Sequence, residues 1–350
     1  MQRKIRVKEE SRFDLVALGE ILLRFDPGEM RIRHAREFQI WDGGAEYNVA
    51  ANMSRVFGQR SAILTALADN EIGRLAAGMA AAAGVDTSKI IWRNPGSGLR
   101  NGIYFIERGH GLRAPASAFD RANTAVSELK AGDIDWQVFF DREPTRWFHT
   151  GGVFTGLSET TPDTAIAAMR AARESGCIVS YDLNYRESLW AGRGGRVAAD
   201  EVNRAVLPFA DVVFGTFGFD ATLSNYADAS FRSACDVMRS HFPNLQIIVS
   251  SLRNVHSASC HDLAGVCSVD SEIFRSADLS GVDVLDRVGS GDAFASGFIY
   301  AMLEGRDPQF AIDCAAAHGA LSLTTPGDCS LAGLDDVMGL MQGKNAAAVR

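Results

Sequence analysis

The chain has 350 residues, 47% of them hydrophobic, with 35 Lys and Arg against 43 Asp and Glu, a formal charge of −8. That balance excludes a nucleic-acid-coating surface, which needs a basic field, and the apolar content excludes disorder as the main state. The strongly apolar stretches, residues 75–85 and 293–303, are far shorter than the roughly 20 residues of a membrane span, and charged residues 1–12 do not read as a signal peptide, so a cytoplasmic protein without a membrane partner is expected.

Residues 13–19 form a short apolar run closed by Gly-Glu, which predicts a strand. Residues 21–41 mix Arg and apolar residues in near alternation, as strands with one open face do. From Gly43 the period changes: Ala45, Val49, Ala50, Met53, Val56 and Phe57 recur three and four apart until Gly58, the pattern of an amphipathic helix with a glycine stop. A strand over 61–68 and an Ala-rich helix over 71–83 follow, and this alternation predicts a parallel sheet. Strand-like runs at 90–92 and 102–106 interrupt it. Together with 21–41 they predict a small separate sheet, inserted through 21–41 and 90–119 into one α/β domain covering 13–340, after a charged tail over 1–12. Beyond Arg146 the rhythm resumes, with strands at 147–149, 178–183, 211–215 and 247–250 and helices at 161–175 and 230–242. A β-rich patch over 257–284 and helices over 292–303 and 309–323 complete the chain.

The six cysteines show no CxxC spacing and read as free thiols in a reducing compartment. His256, Cys260 and His261 are close in sequence but lie in an alternating stretch without further ligand partners, so no metal is read there.

The glycines are more informative. In Asp286-Arg287-Val288-Gly289-Ser290-Gly291-Asp292, two glycines open a helix, where successive N–H groups can converge on an anion at its positive end. An aspartate beside a bound phosphate adds unwanted negative charge, unless it accepts the proton of a hydroxyl that attacks phosphorus. The alternative is that Asp292 is only an N-cap and the glycines a tight turn. A second pair, Gly43-Gly44, precedes Asn48 at another helix start, and two such starts far apart suggest a phosphate donor and an acceptor meeting over one sheet.

With these motifs the chain resembles the PfkB/ribokinase family of sugar kinases, and within it the 2-keto-3-deoxygluconate kinases, from about residue 14 to 333. Gly43-Gly44-Ala45-Glu46 with Asn48 is similar to the N-terminal signature, Asp286 to Asp292 to the C-terminal one, and Asp182-Leu183-Asn184-Tyr185-Arg186 to the segment used at the sugar acid. The resemblance implies an α/β ribokinase-like fold, a central mostly parallel sheet flanked by helices with a small β-sheet lid. It implies ATP-dependent phosphorylation of the 6-hydroxyl of 2-keto-3-deoxygluconate, with Asp292 as base and the amides of Gly289, Ser290 and Gly291 as anion hole. Gly43, Gly44 and Asn48 would contact substrate hydroxyls, with Asp182 and Asn184 nearby. Tyr104 and Phe119 would line the lid side, the latter where the group tends to have Tyr. Arg121 and Arg186 would hold the carboxylate, which suits guanidinium chemistry. Ser251, Leu252 and Arg253 would approach the triphosphate, and Ala317, His318 and Gly319 the adenine, although His318 equally suits a satisfied helix position.

In one place the chain departs from the family. Where the family carries Asn-x-x-Glu, here stand Thr216-Phe217-Gly218-Phe219, leaving Asp220 or Asp286 to hold magnesium, with a monovalent cation left open. A kinase for another ketose, aldose or nucleoside, and a sugar-acid-binding relative without turnover, are the rival expectations. A homodimer through the lid sheet is also expected, because a sheet with one open apolar face tends to be covered.

Overall fold

The computed structural model describes residues 4–343; the first three residues of the expected tail lie outside them. The remainder of that tail lies against the body, with Arg146 Nε donating to the Arg6 carbonyl at 3.0 Å and the Arg12 N–H to the Pro144 carbonyl at 2.7 Å.

Fourteen strands form two sheets among the described residues. They are β1 (Phe13–Leu18), β2 (Leu22–Asp26), β3 (Gln39–Gly43), β4 (Ser61–Ala68), β5 (Ile90–Arg93), β6 (Gly102–Glu107), β7 (Ala116–Asp120), β8 (Thr145–Gly151), β9 (Ile178–Asp182), β10 (Val212–Phe214), β11 (Ile247–Ser257), β12 (Cys260–Val269), β13 (Glu272–Arg275) and β14 (Leu279–Asp283). The large sheet runs β13-β12-β11-β10-β9-β8-β1-β4-β5, with β14 beside β12. From β11 to β5 all neighbours are parallel, while β12, β13 and β14 join antiparallel.

Every residue of β1 and β4 is buried, because helices cover both faces. The period-two alternation divides each strand between two cores. Leu15, Ala17, Ile63, Trp147, Ile178 and Val212 point into one, and Val16, Leu18, Ala62, Phe148, Val179 and Val213 into the other. The helix Ser290–Leu303 is apolar nearly all round and packs on the helix Pro308–Ser322. A side chain at Gly297 would sit 2.8 Å from the Cys314 carbonyl, so glycine sets the closeness of that crossing.

The small sheet has the order β3-β2-β6-β7. Ile90–Arg93, expected in that sheet, instead pairs in parallel with β4 at the edge of the large one. Its short apolar run marks a strand without saying which sheet receives it. In the small sheet Arg24 pairs with Tyr104 and Phe25 with Phe105. Alternation turns Arg24 and Tyr104 toward the large sheet and leaves Phe25 and Phe105 on the other face, stacked 5.1 Å apart with Phe38 edge-on.

The chain winds outward through β1, β4 and β5 in one direction and through β8 to β11 in the other, so the order reverses between β1 and β8. A ligand site is expected beyond the carboxyl ends of the strands at that reversal.

Candidate active site

A cleft of about 1010 Å³ opens there, beneath the small sheet. Gly44, Asn48, Tyr104, Phe119, Arg121, Asp182, Asn184, Arg186, Ser251, Arg253 and the run from Gly289 to Asp292 all line it, so the structure brings together most of the residues singled out in the sequence.

Gly289 takes φ +77° and serves as N-cap of the Ser290–Leu303 helix, without any side-chain cap. Asp292 is therefore not the cap. Its Oδ2 accepts a hydrogen bond from Asn48 Nδ2 at 2.7 Å, 244 positions away in the chain. Burial pushes its carboxyl up to about 8, against that hydrogen bond, with Asp182 adding to the shift and Arg186 opposing it. A carboxyl so placed takes up a proton readily near neutral pH. Ser290 Oγ donates to the Gly319 carbonyl at 3.0 Å and accepts from Arg253 Nη2 at 3.0 Å. Burial, followed by the charges of Arg287 and Arg186, lowers the Arg253 guanidinium pKa.

In the same cleft, Asp182 accepts the Asn184 N–H at 3.1 Å across a tight turn that puts Asn184 at φ +28°. Burial raises the Asp182 carboxyl to about 6, against the charge of Arg186. Arg186 itself is exposed and makes no ion pair among the described residues. Arg121 differs: its Nη1 sits 2.7 Å from Glu20 Oε1, and its guanidinium lies 4.5 Å over the Phe119 ring, which stacks on Tyr104 at 5.0 Å. Glu46 is buried and does not line the cleft. Its Oε1 accepts the Phe154 N–H at 3.0 Å, its Oε2 has no hydrogen-bond partner, and burial raises its pKa well above the carboxylate range, with Glu20 and Asp292 adding.

Several expectations need correction. Leu252 is packed in the core because it lies on the other face of β11 from its neighbours. Ala317, His318 and Gly319 do not line the cleft: they sit in a helix buried on most of its faces, where burial lowers the His318 imidazole to about 4 and its Nδ1 is 3.1 Å from Ser296 Oγ. Gly43 lies behind Gly44, against the Asp328 carboxylate. Neither acid expected to hold magnesium fits that role. Asp220 is exposed and outside the cleft, and Asp286 is consumed by a buried ion pair with Arg24. Phe219, where the resemblance implies an acid, packs on Phe231 at 5.0 Å instead. Among the described residues no group of three or more His, Cys, Asp and Glu is placed to hold a metal ion.

The cleft also contains residues that were not anticipated, among them Glu20, Arg287 and Asp328. Glu20 stands two residues past the end of the first strand, and a charged residue in that position was the available signal.

Comparison with known proteins gives the chain its family. The pattern of the pfkB family carbohydrate kinase matches residues 12–218 and 265–333, most of the chain. The unmatched interval contains Phe219 and Arg253. The chain is 29% identical over 339 residues to the 2-dehydro-3-deoxygalactonokinase of Haloferax volcanii, covering 96% of this chain and 99% of that protein. It is 27% identical over 324 residues to the 2-dehydro-3-deoxygluconokinase of Thermoproteus tenax, covering 91% of each. Among solved structures, the 2-dehydro-3-deoxygluconokinase of Thermotoga maritima superposes with a TM-score of 0.85 at 30% identity, over 95% of this chain and all of that one. The chain belongs to the pfkB family of carbohydrate kinases and is a phosphotransferase that uses a hydroxyl group as acceptor.

Proposed function

We propose that the protein phosphorylates the 6-hydroxyl of 2-keto-3-deoxygluconate, with ATP as donor. The observation that carries this is the convergence in one cleft of a buried, hydrogen-bonded Asp292 beside a helix-opening glycine turn and an Arg186 that makes no ion pair among the described residues. A sugar acid has one hydroxyl for the first and a carboxylate for the second, and a neutral sugar leaves Arg186 without a partner.

In this scheme Asn48 holds one oxygen of Asp292, and the other takes the proton of the acceptor hydroxyl as its oxygen bonds to the γ-phosphorus and ADP leaves. The amides of Gly289, Ser290 and Gly291 receive the charge carried by the phosphoryl oxygens, and Arg253, held by Ser290, adds a cation beside them. Ser251 and Arg253 flank the triphosphate. The small sheet covers the cleft and keeps water from competing as acceptor. Because neither Asp220 nor Asp286 fits as a magnesium ligand, no protein ligand for that ion is assigned. Arg121 enters the scheme as a neutral pair with Glu20, which leaves the carboxylate of the acceptor chiefly to Arg186.

The test is kcat/KM across an acceptor panel containing 2-keto-3-deoxygluconate, its galactonate epimer, 5-keto-2-deoxygluconate, fructose, ribose and a nucleoside. A preference for the acids by orders of magnitude is expected. Equal or better use of a neutral acceptor would overturn it. We further propose that a second copy of the chain covers the outer face of the small sheet, where Phe25, Phe38 and Phe105 are half-buried and Ile40 exposed. A monomeric mass at micromolar concentration would contradict this.

A further inference from the structure

Arg24 does not touch the cleft, yet it is wholly buried, and a buried guanidinium requires partners for its charge. Its Nη1 donates to Asp328 Oδ1 at 2.9 Å, and its Nη2 to Asp26 Oδ2 at 2.9 Å and to Asp286 Oδ2. Asp26 also pairs with Arg108 Nε at 3.2 Å, and Asp328 accepts the Tyr104 hydroxyl. The members come from two parts of the molecule. Arg24, Asp26 and Tyr104 belong to the small sheet, whereas Asp286 and Asp328 flank the phosphate-end loop.

The two aspartates hold that loop from below. A side chain at Gly289 would meet the Asp328 carbonyl at 1.8 Å, and one at Gly43 would meet the Asp328 carboxylate at 2.3 Å. Both glycine signatures thus close on one residue, Asp328, besides facing the cleft. Asp286 accepts the N–H groups of Val288 at 3.2 Å and Gly327 at 3.3 Å, tying the entry of the loop to the segment that carries Asp328. The same segment reaches the helix Ala45–Arg55 through the Ser330 N–H, which donates to Asn52 Oδ1 at 2.9 Å.

We propose that the Arg24–Asp328 pair is a strut between the small sheet and the Gly289–Gly291 loop, so that seating the lid and aligning the anion-binding amides are a single event. This role rests on the reading of those amides as the phosphoryl cradle. Arg24 is then a positioning residue: it acts on the reaction through Asp286 and Asp328 and contacts neither substrate.

Two variants separate positioning from simple stability. Arg24→Lys keeps the charge but cannot span both aspartates with one fork, and Asp328→Asn keeps the shape but removes the charge that Arg24 and Tyr104 address. In folded protein, each should lower kcat on the order of 10²-fold, the cost of a misplacement of about 1 Å, while calorimetric affinity for the acceptor is little changed. Because both variants break one unit, the double variant should be no worse than the poorer single one. Wild-type kcat in either folded variant with only a lower Tm would overturn the proposal, as would kcat and acceptor affinity falling in parallel. Failure of both variants to fold would assign the pair to the core of the fold instead. Asp292→Asn serves as the control. If it keeps full activity, the reading of the phosphate end fails; if it is inactive while both strut variants turn over normally, the strut alone fails.

Discussion

At the proposed phosphate end of the cleft the polar groups are held in place: Asp292 by Asn48, Ser290 by Gly319 and Arg253, and the loop beneath by Asp286 and Asp328. At the proposed carboxylate end Arg186 is exposed and unpaired among the described residues, and Arg121 is already engaged by Glu20. The first end is organised before any ligand arrives, as charge stabilisation in a transition state requires. The second has a cation free to meet its ligand. Changes at the phosphate end should therefore appear in kcat, and changes at the carboxylate end in KM.

A large effect that would sharpen this contrast is expected for Gly289→Ala. The new methyl would overlap the Asp328 carbonyl at a backbone angle of φ +77°, displacing the amides, and kcat should fall about 10²–10³-fold, the loss seen when an oxyanion donor is removed. Steady-state kinetics with saturating acceptor measures it, and an unchanged kcat would mean that the loop is only a turn. Arg186→Met should instead raise KM for the sugar acid roughly 10–100-fold, matching about 1.5–3 kcal/mol for a charged hydrogen bond, with kcat little altered. A drop in kcat with unchanged KM would place Arg186 at the wrong end. The smallest predicted effect lies in the pH profile. Below pH 8 the free enzyme's Asp292 is mostly protonated, so kcat/KM should rise by about tenfold per pH unit toward a plateau above about 8. The same shift destabilises the fold. The unfolded carboxyl ionises near 3.8 and the folded one near 8, so this contribution to stability is full below about 3.8 and is lost as pH rises to about 8. Asp292→Asn should remove the loss and raise Tm at pH 8 but not at pH 4.

The contrast between the two ends also explains what could be read from the sequence. Local patterns carried the strands of the large sheet: the 61–68 run matches β4 residue for residue, and the glycine turns at 43–44 and 289–291 both open helices. Partnerships across long separations were out of reach. Arg24 and Asp328 are 304 positions apart, and Arg121 and Glu20 are 101 apart, so nothing local marks one as a buried strut or the other as already neutralised. The Ala-rich run at 309–323 predicted a helix correctly, but with apolar residues on nearly every face it could not show whether Ala317, His318 and Gly319 face a ligand or a neighbouring helix. They face the neighbouring helix. Phe219 shows the reverse case. The loss of an acid was visible, and its physical sense, an aromatic packed against Phe231 and Tyr226, came only with the fold.

Asp292→Asn, assayed for turnover and for acceptor binding in the same preparation, tests the central claim most directly. The account predicts a fall in kcat of about 10²–10⁴-fold, the usual worth of a positioned base, with calorimetric affinity for 2-keto-3-deoxygluconate nearly intact. Full turnover in the variant, or loss of sugar-acid binding in step with kcat, would contradict it.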